Sequence, residues 1–111
     1  MSKKKSEAPR DACVLEIAES LKKENWDVNA NIEGWSKPDK VGPYMPDVVA
    51  KKPGCLTRIC QVATEDMFKG NERDYQDLKN YCANYDFHFY MIKDGKRTQI
   101  NPEDVKSDSK K

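Results

Sequence analysis

Met45-Pro46-Asp47-Val48-Val49-Ala50-Lys51 runs through Lys52-Pro53-Gly54 toward a second segment, Thr57-Arg58-Ile59-Cys60-Gln61-Val62-Ala63-Thr64. Both segments are rich in β-branched and small apolar residues, and the Pro-Gly step between them is a strong turn signal. They read as two consecutive strands. Asp47 stands at the head of the first and Gln61 in the middle of the second. A carboxylate and an amide so placed can converge on one cation.

Working outward, Val14, Ile17, Ala18 and Leu21 recur at i, i+3, i+4 and i+7, one apolar stripe of a helix. Asp11 is the expected N-cap, Lys22 and Lys23 suit the C-terminal dipole, and Asn25 is the expected stop. Trp26 to Ile32 alternates apolar and polar residues, as a half-buried strand does. Gly34, Pro38, Gly42 and Pro43 mark a loop from about 33 to 44. Beyond the second motif strand, Met67 to Gly70 reads as irregular. A second helix is predicted from Asn71, whose side chain would cap the N–H of Asp74, with Tyr75, Leu78, Cys82 and Tyr85 as its buried stripe. Phe87 to Ile92 is a continuous apolar run, as in a strand covered on both faces. Asp94-Gly95 then turns the chain into a short edge run at Thr98-Gln99-Ile100.

The predicted class is α/β, in the order α-β-β-β-α-β, with a mixed sheet flanked by helices and the last helix crossing between parallel strands. One domain over 10–101 is expected, between a loose basic tail at 1–9 and a polar tail at 102–111. Residues 1–9 and 106–111 each carry a net +2, which leaves residues 10–105 at −3 although the whole chain is +1. An acidic body argues against tight non-specific duplex binding. No apolar run approaches the roughly 20 residues that span a bilayer and no signal peptide is visible, so no membrane partner and a cytoplasmic location are expected. The four cysteines contain no CxxC pair, which argues against zinc and for free thiols.

The Pro-Asp strand head, the following strand and the helix on either side resemble the PD-(D/E)xK nuclease superfamily, the restriction-endonuclease-like fold, over roughly residues 11 to 93. A double-stranded-RNA-binding domain shares the α-β-β-β-α part, but Asn71-Glu72-Arg73-Asp74 would repel phosphate where that domain needs lysines. The superfamily resemblance implies Mg²⁺ or Mn²⁺ held by Asp47, by the residue at Gln61 and by the carbonyl of Val62. It also implies a lysine at the position of Ala63. Gln61 and Ala63 depart from the pattern, since an amide brings no charge and a methyl group brings nothing. Catalytic groups migrate in this superfamily, so Lys51 is a candidate catalytic lysine beside Asp47 and Gln61, with Lys79 a fainter one. Glu65, Glu16 and Glu19 are candidate metal acids, and the sequence does not choose between the two on the first helix. Each has a plainer reading: Asp47 as a turn cap, Gln61 as a satisfied amide, the others as solvated charges.

Trp35, Lys37, Lys40 and Tyr44 interleave two aromatics with two lysines in one loop, the composition of a single-strand grip; the alternative is that the aromatics pin the loop to the core. His88, between two phenylalanines, reads as structural. Together these features predict a degenerate nuclease-like domain associated with nucleic acid, its metal-dependent cleavage weak or lost. Two readings stay open beside it: an active divergent Mg²⁺-dependent nuclease, and a non-catalytic interaction module. Superfamily members are often dimers, so a homodimer is among the implied partners.

Overall fold

The computed structural model describes residues 7–100, with side chains from Pro9 onward. Helix α1 spans Glu7–Lys23, so it starts four residues before the expected cap at Asp11. Pro9 explains the earlier start, because a proline in the first turn gives up an N–H that has no intrahelical partner. Asp11 thus lies inside the helix, near its positive end. The predicted stripe of Val14, Ile17, Ala18 and Leu21 is buried. Asn25 ends α1 in the left-handed region at φ 73°. Its N–H donates to the Lys22 carbonyl at 3.0 Å and that of Trp26 to the Leu21 carbonyl at 3.1 Å, the paired bonds of a helix C-terminal motif.

The strands are β1 (Asp27–Ala30), β2 (Val48–Lys51), β3 (Arg58–Thr64), β4 (Asp86–Lys93) and β5 (Lys96–Ile100). They lie side by side in chain order in one sheet. Every neighbouring pair is antiparallel except β3 and β4. That parallel pair needs a crossover, supplied by α2 (Glu65–Phe68) and α3 (Glu72–Tyr81). The class is therefore α/β, with a five-stranded mixed sheet flanked by helices. Among the described residues, no helix is long and apolar enough to cross a membrane.

Alternation along the strands gives the sheet two apolar faces. Val48, Ala50, Cys60, Val62 and Ile92 meet the α1 stripe, while Val49 and Ile59 meet Leu78 and Cys82 of the α3 region. Farther along the second face, Phe68, Tyr75 and Phe89 pack ring to ring, with centroids 5.3–5.8 Å apart.

Three local expectations are corrected. The segment read as irregular contains α2, because Thr64 Oγ1 accepts from the Met67 N–H at 3.2 Å and nucleates a turn. Asn71 does not cap through its side chain. Its amide donates back to the Met67 carbonyl at 3.0 Å, and its own carbonyl receives the Asp74 N–H. Finally, α3 stops at Tyr81, so Tyr85 lies beyond it and is exposed. The tails predicted as loose fall outside the described residues, apart from Glu7–Pro9, which belong to α1.

Candidate functional site

The register places Val48 opposite Cys60, so Asp47 comes opposite Gln61 at the mouth of the β2–β3 pair. Every polar atom of Asp47 is engaged. Its N–H donates to Gln61 Oε1 at 3.1 Å. Its carbonyl accepts from Asn31 at 2.8 Å. Oδ2 accepts from the Val62 N–H at 2.8 Å, and Oδ1 is held by the guanidinium of Arg10. The same guanidinium pairs with Asp11 and reaches the Asn31 carbonyl at 3.5 Å.

Asp47 is 2% exposed. Burial pushes its carboxyl above the ordinary range, while Arg10 and the Val62 N–H pull against that. For Arg10, burial works to lower the value, but Asp47 and then Asp11 outweigh it and hold the guanidinium above its usual value. The raised Arg10 value is the mark of an ion pair in contact, and the raised Asp47 value the mark of its burial. On the α3 side, Gln61 opens into a cleft of about 190 Å³ shared with Tyr44, Asn71, Asp74 and Tyr75. Burial first, and then the charge of Asp47, pushes the Tyr75 phenol up to about 12, so it stays protonated as a hydrogen-bond donor.

Of the residues singled out from sequence, the structure brings together Asp47, Gln61 and Val62. It does not bring the others to them. Lys51 ends β2, beside Asp27 in the register and roughly 13 Å along the strand from Asp47 at about 3.3 Å per residue. Glu65 pairs with Lys93 at 3.6 Å and Glu16 with Arg97 at 3.5 Å. Glu19 lines a separate cleft with Lys22, Lys23 and Trp35, and Lys79 rides on α3. Ala63 is buried against Phe68 and Phe89, where an ammonium group would be desolvated. Among the described residues, no three His, Cys, Asp or Glu side chains form a group able to hold a metal ion. Mg²⁺ and Mn²⁺ need oxygen donors carrying negative charge. Here the one carboxylate opposite Gln61 is spent on a guanidinium, so the donor set does not fit the ion.

The loop proposed to grip a single strand does not form one surface. Trp35 packs against the α1-side core under Lys22 Nζ, 5.6 Å from its ring. Tyr44 packs on the opposite face, edge-on to Tyr81 at 6.0 Å, with its hydroxyl donating to Asp77 at 3.3 Å. The aromatics are anchors, and only Lys37 and Lys40 of the four are exposed. His88 bridges Asp86 at 3.0 Å and Gln99 at 2.9 Å, the structural role expected of it.

No family model matches this chain, and no significant match exists among curated proteins or solved structures.

Sequence reasoning missed Arg10, because it lay at the edge of what looked like a tail. Two signals pointed to it: Pro9 permits a helix start ahead of Asp11, and a buried strand-head aspartate requires a cation.

Proposed function

We propose that this domain is a cleavage-silent relative of the PD-(D/E)xK nucleases, with the restriction-endonuclease-like fold, in which Arg10 takes the place of the divalent metal at Asp47. The observation that carries this reading is the Arg10–Asp47 contact, with Oδ2 on the Val62 N–H and Gln61 Oε1 on the Asp47 N–H. The arrangement leaves no charged oxygen of Asp47 to recruit a metal or a water. The order α-β-β-β-α-β around one parallel pair supports the fold assignment. The function left to such a domain is association with nucleic acid through exposed lysines such as Lys37 and Lys40, without chemistry.

The test is a pair of assays on the full chain. Single- and double-stranded DNA and RNA are incubated with millimolar Mg²⁺ or Mn²⁺, and binding is followed by fluorescence anisotropy across salt. No metal-dependent cleavage, together with saturable binding that weakens steeply with salt, is the expected result. Cleavage abolished by Asp47→Asn would overturn the loss of catalysis; an absence of binding at low salt would remove the nucleic-acid role.

A second reading, an interaction or self-association module, is favoured by one observation. The Asp86 N–H donates to the Thr57 carbonyl at 2.9 Å, which brings the neighbouring exposed Leu56 and Tyr85 to the same end of the sheet. Sedimentation equilibrium of the wild type and Tyr85→Lys separates this reading: a monomer in both removes self-association.

A further inference from the structure

A second cleft lies on the other side of the molecule, between α1 and the sheet, and shares no lining residue with the Asp47–Gln61 site. Its volume is about 160 Å³, and Arg58, Arg97, Tyr90 and Ser20 line it. Arg58 extends from β3, with Cζ 4.9 Å from the centroid of the Trp26 ring. Arg97 extends from β5, with Cζ 5.3 Å from the ring of Tyr90. A guanidinium stacked on an aromatic face keeps its N–H groups in the ring-parallel plane, free to bond at the edge.

Each arginine has an acidic neighbour that leaves donors over. Arg58 gives Nε to Asp86 Oδ2 at 3.0 Å, and its two Nη groups have no hydrogen-bond partner among the described residues. Arg97 gives only Nη1, over long distances: 3.5 Å to Glu16 and 3.7 Å to the Cys13 sulfur. The Glu16 side chain is 74% exposed, so water replaces that contact at little cost. Burial and then Cys60 push the Tyr90 phenol up, while Arg97 and Arg58 both pull it down; all three side chains line the same cleft. Glu24 also lines the cleft, but it is exposed and free to turn to solvent.

We propose that this cleft binds a phosphate group, gripped between the Arg58 and Arg97 guanidiniums with the hydroxyls of Tyr90 and Ser20 completing its coordination. Two forked donors facing one small polar cleft match a tetrahedral oxyanion with several acceptor oxygens. The phosphate belongs either to a small phosphorylated molecule or to the end of a nucleic-acid strand.

The test is NMR titration of the full chain with inorganic phosphate against NaCl at matched ionic strength. A short DNA strand with and without a 5′-phosphate follows. Saturable amide shifts at Ser20, Tyr90, Arg58 and Arg97 are expected with phosphate and not with chloride. Arg58→Gln and Arg97→Gln should each weaken binding at least tenfold, with the lysine variants between. Arg97→Gln lies on the exposed edge strand, so it keeps the test valid if Arg58→Gln fails to fold. A 5′-phosphorylated strand binding tighter than both inorganic phosphate and the unphosphorylated strand assigns the site to a strand end; equal affinity for phosphate and the phosphorylated strand assigns it to small phosphorylated molecules. Shifts that chloride reproduces, or an unchanged affinity in Arg97→Gln, would overturn the proposal.

Discussion

Replacing Arg10 by alanine removes the cation from a carboxylate that is 2% exposed and whose remaining side-chain partner is the Val62 N–H. Breaking a buried ion pair from one side costs about 3–5 kcal/mol, because the survivor stays desolvated and uncompensated. A domain of this size has about 5–15 kcal/mol in total, so Arg10→Ala should lose about a fifth or more of its stability at pH 7. The loss has a pH signature. Asp47 is already raised by burial, and without Arg10 it rises further. A carboxyl whose folded value exceeds its unfolded value, about 3.9, gives stability that is full below the unfolded value and is lost as pH rises through the folded one. The variant should therefore recover toward wild type as the pH falls from 7 to 5. Urea unfolding at both pH values, followed by the fluorescence of Trp26 and Trp35, measures this. Asp47→Asn should cost less, since Arg10 keeps Asp11, and the double variant should cost less than the sum of the two single ones. A penalty under about 1 kcal/mol that does not change with pH would refute the buried pair and, with it, the account of the site. If Arg10→Ala does not fold, Arg10→Lys supplies the same comparison, retaining the charge while losing the fork.

Three further outcomes follow from the packing. Gly42, at φ 59°, lies under the Tyr81 ring, and a Cβ there would come within 2.6 Å of it. Gly42→Ala should cost about 1–3 kcal/mol in denaturant unfolding, and Tyr81→Ala in the same background should return the part due to the clash but not the backbone strain. Of the four thiols only Cys55 is exposed, whereas burial pushes Cys60 up to about 12 and Cys82 up to about 11. Ellman's reagent at pH 8 should titrate one thiol rapidly and the other three only on unfolding; a second fast thiol would contradict the core. Burial works to raise Asp86, but hydrogen bonds from His88 and Arg58 outweigh it and leave the carboxyl below its usual value. Its stabilisation is present above the unfolded value, about 3.9, and is lost as pH falls through the folded value. The stability gap between wild type and Asp86→Asn should accordingly close below about pH 4, and a constant gap would show that the bridges carry no net charge effect.

The legible part of this chain was its periodicity. The α1 stripe, the Lys52-Pro53-Gly54 turn and the β-branched runs each state their element locally, and the crossover between β3 and β4 follows from a helix placed between two apolar strands. The short helix at Glu65 was hidden, because one turn capped by Thr64 leaves no 3.6-residue pattern to read. The Trp35–Tyr44 loop misled for a different reason. Composition shows aromatics and lysines side by side but not that the loop wraps the sheet end and sends its two rings to opposite faces. The site was half legible: Asp47 and Gln61 face each other as strand register requires, yet the cation came from Arg10, 37 positions away in the chain, and no local pattern reports a contact of that span.

On the reading proposed above, Arg10 accounts for Gln61 and Ala63 as one change rather than two losses. The Arg10 guanidinium already serves two carboxylates, Asp11 and Asp47. A glutamate at position 61 would put a further carboxylate beside Asp47 in a half-buried place, at a desolvation cost. Glutamine supplies the one thing the geometry asks of that position, an oxygen to accept the Asp47 N–H, without the charge. Position 63 then has no anion or phosphate to balance, and a small residue lets Phe68 and Phe89 close over it. Gln61→Glu alone should therefore confer no metal-dependent cleavage and should destabilise the fold. The same substitution combined with Arg10→Gln should be better tolerated, because removing the guanidinium is what frees Asp47 for another cation.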